Sequence, residues 1–204
     1  MTTTIIARLA PGQLSAAGAS LARAFFEDPS WVWAVPDDAK RRQVLAWFFP
    51  AAARYGLLYG EVYTDGQAAG AAIWLPPGRT ALRASGLMRV GLLLLPLKAG
   101  LSAFSRFVTM GRVLDERHRQ DVPPEHWYLW LLGVDPPRQG QGLGSALVQP
   151  ILSRADSDGV SCYLDTTLER NLTFYQRHGF EIVFAGTFPK GGPRFWTLRR
   201  EPRR

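Results

Sequence analysis

The 204-residue chain has little sulfur and few titratable switches: one cysteine (Cys162), three methionines and three histidines. A single cysteine excludes an intramolecular disulfide framework and a cysteine-based zinc site. No stretch approaches the ~20 apolar residues of a membrane-spanning helix. The most apolar run, Val90 to Leu97, is bounded by Arg89 and Lys98. Met1 to Arg8 shows no basic region followed by an apolar core, so no signal peptide is expected and a cytoplasmic location is the default. There is no internal repeat. No aromatic-interleaved basic stripe suggests a nucleic-acid channel. Hydrophobic residues at 47% and charged residues at 20% exclude disorder and low-complexity classes.

What is present fits one α/β domain over residues 1–204. The net charge is +7, carried by 21 arginines and only three lysines. Such a balance permits a polyanionic partner: nucleic acid, a membrane surface or a phosphate-rich cofactor. The cofactor is the expectation here, with no nucleic-acid or membrane partner. The terminal cluster Arg199, Arg200, Arg203 and Arg204 reads as a solvated tail.

Periodicity orders the elements. Helices are expected over residues 11–27 and 38–55, with Trp31 and Trp33 in the loop between them. Strands follow over residues 57–64 and 67–75, turning at Asp65-Gly66. Residues 79–121 carry Leu-, Met- and Phe-rich helical patterns with a break at Pro96, an insertion into an otherwise alternating pattern. Residues 127–134 (WYLWLLGV) form a buried central strand. A helix over 142–157 presents Leu143, Leu147, Ile151 and Ala155 on one face, with a kink expected at Pro150. A strand at 160–166, a short helix at 171–178 ending at Gly179, and strands at 180–186 and 194–200 complete the order.

Between the central strand and the following helix lies Arg138-Gln139-Gly140-Gln141-Gly142-Leu143-Gly144. Glycines at alternate positions let the backbone curl and point its N–H groups one way. At a helix N-terminus those groups hold phosphate oxygens. A P-loop is excluded, because no lysine follows a glycine here. A dinucleotide fingerprint has the right order of parts, with Asp165 at the next strand end, but its third glycine is missing and too little chain follows.

Gln139-Gly140-Gln141-Gly142-Leu143-Gly144 instead fits the loop Gln/Arg-x-x-Gly-x-Gly/Ala. With Gly133-Val134-Asp135-Pro136 before it and Asn171-x-x-x-Tyr175-x-x-x-Gly179-Phe180 after it, the chain resembles the GCN5-related N-acetyltransferases. Within them it is most similar to the puromycin N-acetyltransferase type. The likeness covers residues 127–186 and is poor through the insertion. It implies a single domain with a mixed central sheet flanked by helices, and acetyl-CoA as co-substrate.

By that resemblance, Leu132, Gly133 and Val134 pair with pantetheine like an added strand and meet the acyl oxygen with a backbone N–H. The amides of Gln139, Gly140, Gln141, Gly142, Leu143, Gly144 and Ser145 hold the pyrophosphate, with Arg138 reaching a phosphate. Asn171 and Tyr175, four residues apart, share a helix face. Asn171 bonds pantetheine, and Tyr175 is the acid for the departing thiolate, protonated at neutral pH by its ordinary pKa of ~10. Asp165 is the candidate base, with Glu61, Asp28 and His126 as alternatives. Trp31, Trp33 and Trp130 suit the wall of a site for a flat amine, and the insertion either roofs that site or forms a dimer interface. The expected reaction is acetyl transfer to a small amine, such as an antibiotic or aminonucleoside-like metabolite, by a monomer or homodimer without metal. Peptide acetylation and non-catalytic acyl-CoA binding are the alternatives.

Overall fold

In the computed structural model, which describes residues 5–203, the strand Gly70–Leu75 is buried at every position. Ala71 and Ile73 join one apolar cluster and Ala72 and Trp74 another, as a strand covered on both faces requires. Seven strands form one mixed sheet: β1 (Ile6–Arg8), β2 (Glu61–Asp65), β3 (Gly70–Leu75), β4 (His126–Val134), β5 (Ser161–Thr166), β6 (Glu181–Thr187) and β7 (Arg194–Arg200), in spatial order β1-β2-β3-β4-β5-β7-β6. Only β4 and β5 run parallel. Met1 to Thr4 of the segment read for a signal peptide, and Arg204, lie outside the described residues.

α1 (Leu14–Ala24) and α3 (Asp38–Tyr59) cover one face of the sheet. Gly18 lets them touch: a Cβ there would lie 2.5 Å from the Pro50 ring. α7 (Leu143–Asp158) covers the other face with Leu143, Leu147, Ile151 and Ala155, the predicted stripe, joined by Val148 and Leu152. It runs unbroken through Pro150 and stops at Gly159, whose φ is 68°. α8 (Leu172–Arg177) follows a single 3-10 turn, and Asn171 is its N-cap residue.

Several local expectations change. Trp31 and Trp33 lie on a helix, α2 (Pro29–Ala34), not in a loop. Asp28 starts it by accepting the Ser30 amide at 2.9 Å, with Pro29 supplying a preset φ. Residues 57–59, expected as strand, complete α3, because Leu45, Phe49, Ala52, Ala53 and Gly56 continue its buried stripe. The first helix is a 3-10 turn followed by α1, which ends at Ala24.

The insertion forms α4 (Ala84–Arg89), a 3-10 turn at Leu92–Leu94, α5 (Leu95–Ala99) and α6 (Leu101–Asp121). Its breaks fall at Gly91, φ 83°, and Gly100, φ 90°, not at Pro96, which sits harmlessly in the first turn of α5. The terminal arginines are not simply a solvated tail. Arg200 is buried, forked onto Asp156 at 2.7 Å through both nitrogens, and bonds the His178 carbonyl at 2.9 Å. Among the described residues no helix is long and apolar enough to cross a membrane.

Candidate active site

The site begins with a fault in the sheet. Ile73 pairs with Leu131 and Trp74 with Leu129, so Trp130 is an extra residue in β4, a one-residue bulge. On the other edge, β4 pairs with β5 only from His126↔Ser161 to Leu129↔Leu164. β5 continues alongside β7 through Asp165 and Thr166. From Trp130 to Val134 the two parallel strands have therefore parted, leaving the β4 backbone without a strand partner on that side. A cleft of about 1590 Å³ opens along this gap. Leu132, Gly133 and Val134 line it. Gly133 has to be small: a Cβ there would stand 2.8 Å from Leu21 on α1.

The glycine loop closes one end of the cleft. Gly140 and Gly142 adopt φ of 74° and 83°, the left-handed region. A Cβ on either would meet nothing within 4 Å, so glycine is needed there for conformation rather than for space. Gly142 is the N-cap residue of α7. Loop amides and helix dipole thus converge where an anion can sit. The side chains around them brace the turn: Gln139 donates to the Val134 carbonyl at 2.9 Å and Gln141 to the Pro137 carbonyl at 3.1 Å. Arg138 is held by Gln67 at 2.8 Å and Gln141 at 3.2 Å, with no acidic partner among the described residues. Arg138, Gln139, Gly140, Gly142, Leu143, Gly144 and Ser145 all line the cleft, whereas Gln141 of the predicted set does not. An open β edge, a curled amide loop and an arginine suit a long, partly amide-bearing ligand with a phosphate end, as coenzyme A is.

α8 places Asn171 and Tyr175 on the same cleft wall. Tyr175 is buried against Phe174 and Phe180. Burial raises its pKa, and the Asp165 and Asp28 charges add to this, so the phenol stays protonated. Among the described residues no protein group bonds its hydroxyl.

The floor holds two carboxylates. Asp165 accepts the Tyr128 hydroxyl at 2.7 Å. Burial pushes its pKa up to about 6, the charge of Asp28 adds to this, and the Tyr128 bond opposes it. Asp28 is buried and accepts Thr167 Oγ1 at 3.0 and 3.1 Å as well as the Ser30 amide. Burial raises its pKa too, only partly offset by those bonds. Neither has a basic side chain beside it among the described residues.

The other two candidate bases are placed elsewhere or already engaged. Glu61, on β2 outside the cleft, binds Arg154 at 2.7 Å and Arg8 at 2.6 Å; burial raises its pKa, but these partners and Tyr63 bring it below the ordinary value. His126 lines the cleft but is tied to the Pro123 carbonyl at 2.6 Å and to His118 at 2.5 Å; burial lowers its pKa.

The three tryptophans separate. Trp130 faces the cleft and stacks edge-on to Tyr55 at 5.5 Å. Trp31 is core, packed on Phe48, Phe49 and Phe107, and reaches the cleft from behind. Trp33 turns away to Arg106, whose guanidinium lies 5.4 Å over its ring, and does not line the cleft. The insertion forms one wall, through Leu92, Phe104 and Phe107 among others. Sequence reasoning missed Tyr128 and Thr167. Tyr128 was hidden in an apolar strand, although its in-register partner Tyr163 lies two residues before Asp165 and so on the same face.

Three comparisons agree with this geometry. The chain is 28% identical over 170 residues to an uncharacterized N-acetyltransferase of Schizosaccharomyces pombe, covering 80% of this chain and 69% of the relative. Its fold is similar to a histone acetyltransferase HPA2 and related acetyltransferase from Corynebacterium glutamicum, with TM-score 0.69, 18% identity, and 100% and 98% of the two chains covered. It is also similar to arylalkylamine N-acetyltransferase 2 from Aedes aegypti, with TM-score 0.62, 13% identity, and 99% and 100% covered. The model of the Acetyltransferase (GNAT) family matches residues 19–180. The chain therefore belongs to the GNAT family of acetyltransferases and is an acyltransferase using acetyl-CoA as co-substrate.

Proposed function

We propose that the protein acetylates the primary amine of a small cationic, aromatic molecule. The observation that carries this reading is the carboxylate pair, buried Asp28 and half-buried Asp165: burial raises both pKa values, the Asp28 charge adds to the rise at Asp165, and among the described residues neither has a protein cation. Buried charge is retained only where it is paired or neutralised. An amine, which arrives as ammonium, is the missing partner. Trp130, Phe104 and Phe107 offer its ring a flat apolar wall.

Acetyl-CoA supplies an acyl group on a good leaving thiolate. The remaining work falls to the chain. The β4 edge from Trp130 to Val134 and the amides of Gln139 to Ser145 hold the donor, Arg138 adds charge at the phosphate end, and Asn171 bonds the pantetheine arm. Asp28 holds the ammonium. Asp165 takes one proton from it, and at a pKa of about 6 it is a markedly stronger base than an ordinary carboxylate. The freed nitrogen lone pair bonds to the acyl carbon as the carbon–sulfur bond breaks, and the acylated nitrogen then loses its second proton to water in the open cleft. Tyr175 gives its hydroxyl proton to the leaving sulfur and recovers one through the open cleft.

The test is release of coenzyme A thiol with a panel of amines and their neutral isosteres. Arylalkylamines and aminonucleosides, the narrower acceptor suggested by the puromycin-type likeness, are expected to turn over, while the corresponding alcohols are not. Faster acetylation of peptide mixtures than of every small amine would reverse the assignment.

A further inference from the structure

The helical insertion buries only its inner side. Val90, Leu92, Ala99, Ala103 and Met110 are covered and Leu93 lines the cleft, but on the outer side Met88 is 66% exposed, Leu94 47%, Leu97 82% and Leu101 78%. The three leucines fall within eight residues, from the 3-10 turn through α5 to the first residue of α6. Apolar exposure this concentrated marks a contact surface.

Along the insertion itself the charge has one sign, with Asp37 and Asp38 standing next to Lys40 at the start of α3. From Arg79 to Leu114 the chain carries six basic residues and no acidic one. Among the described residues Arg89 and Lys98 make no salt bridge, whereas Arg23, Arg154 and Arg200 elsewhere are all paired. Lys40, reaching over from α3, sets its ammonium beside Gly100, 3.2 Å from where a Cβ would stand. Two of the three lysines in this arginine-rich chain thus flank the leucines.

We propose that this face seats on an anionic lipid bilayer. The leucines enter the boundary between headgroups and acyl chains, and Lys40, Arg89 and Lys98 lie among the headgroups. A second copy of the chain fits less well, because a two-fold contact would bring the cationic rim against itself. A nucleic acid would satisfy the rim and leave the leucines in water. The inference concerns the outer face alone, so it stands or falls independently of the acceptor assigned to the cleft.

The test is co-sedimentation of the full chain with vesicles of phosphatidylcholine alone or with 30% phosphatidylglycerol. Binding is expected to the anionic vesicles, at least tenfold weaker to the neutral ones. Each neutralised basic residue weakens it about fivefold. Leu97→Asp with Leu101→Asp lowers partitioning at least tenfold, while thermal stabilisation by acetyl-CoA is unchanged and shows the variant folded. Three results overturn the proposal: no binding to either vesicle, binding to anionic vesicles that the leucine variant retains in full, or a concentration-dependent dimer that the leucine variant abolishes.

Discussion

Replacing Asp165 with Asn separates function from stability, because this carboxylate is held where the fold disfavours its charge. Its pKa rises from 3.8 to about 6. At 1.36 kcal/mol per unit that shift corresponds to about 3 kcal/mol. Because the side chain is partly open to the cleft, about 2 kcal/mol is the expected penalty of ionised Asp165 in the native state. The sign follows from proton linkage. Below pH 3.8 the group is protonated in both states and carries no penalty. As pH rises through 3.8 the unfolded chain ionises first, so native stability falls until the folded group also ionises near 6. Asn keeps an oxygen to accept the Tyr128 hydroxyl and carries no charge. Asp165→Asn is therefore expected to be about 2 kcal/mol more stable than the parent at pH 8, about 4–8 °C in Tm for a chain of this size. The advantage shrinks at pH 5. Over the same pair of proteins kcat/KM at pH 8 falls at least a hundredfold, the usual share of a general base. Thermal melts at pH 5 and 8, with thiol-release kinetics at pH 8, measure both quantities. An Asn variant that is destabilised at pH 8, or that keeps activity within threefold, refutes the reasoning.

Other consequences follow from the same geometry. The parental kcat/KM is expected to rise with pH and level off above an apparent pKa near 6, one macroscopic value for the Asp28–Asp165 pair, read from a pH–rate profile. Tyr175→Phe should lower kcat about a hundredfold with little change in KM for acetyl-CoA or in Tm, since no protein group among the described residues bonds that hydroxyl. Gly142→Ala, at φ 83°, costs about 1–2 kcal/mol of left-handed strain and should weaken acetyl-CoA binding about tenfold by calorimetry. Arg200→Met strands Asp156 and the His178 carbonyl and should cost about 3 kcal/mol in urea unfolding without altering KM.

The sequence carried the parts of this fold that local chemistry writes. The loop from Arg138 to Gly144 was legible because left-handed turns demand glycine, and α7 because its buried stripe repeats at helical spacing. Asn171 and Tyr175 were legible through their spacing and reach the same wall. What stayed hidden depends on contacts distant in sequence. β1 is too short for a period to show. The bulge at Trp130 exists only relative to β3. Asp28 was one of three alternatives to Asp165, and nothing local marks it out from Glu61 and His126 until Thr167, 139 residues away, folds onto it. Trp33 had the right chemistry for an acceptor wall, but α2 rotates it toward Arg106 instead. The breaks at Gly91 and Gly100 show the converse, a local preference outweighing proline, which the first turn of a helix accommodates.

The most direct test is a crystal structure with a non-transferable acetyl-CoA analogue and an arylalkylamine bound. The pantetheine arm is expected to pair with the β4 backbone between Trp130 and Val134, and the amine nitrogen to lie within hydrogen-bond distance of Asp28 or Asp165. An amine held elsewhere in the cleft, with both carboxylates bonded only to Tyr128, Ser30 and Thr167, would contradict the assignment of the pair to the acceptor.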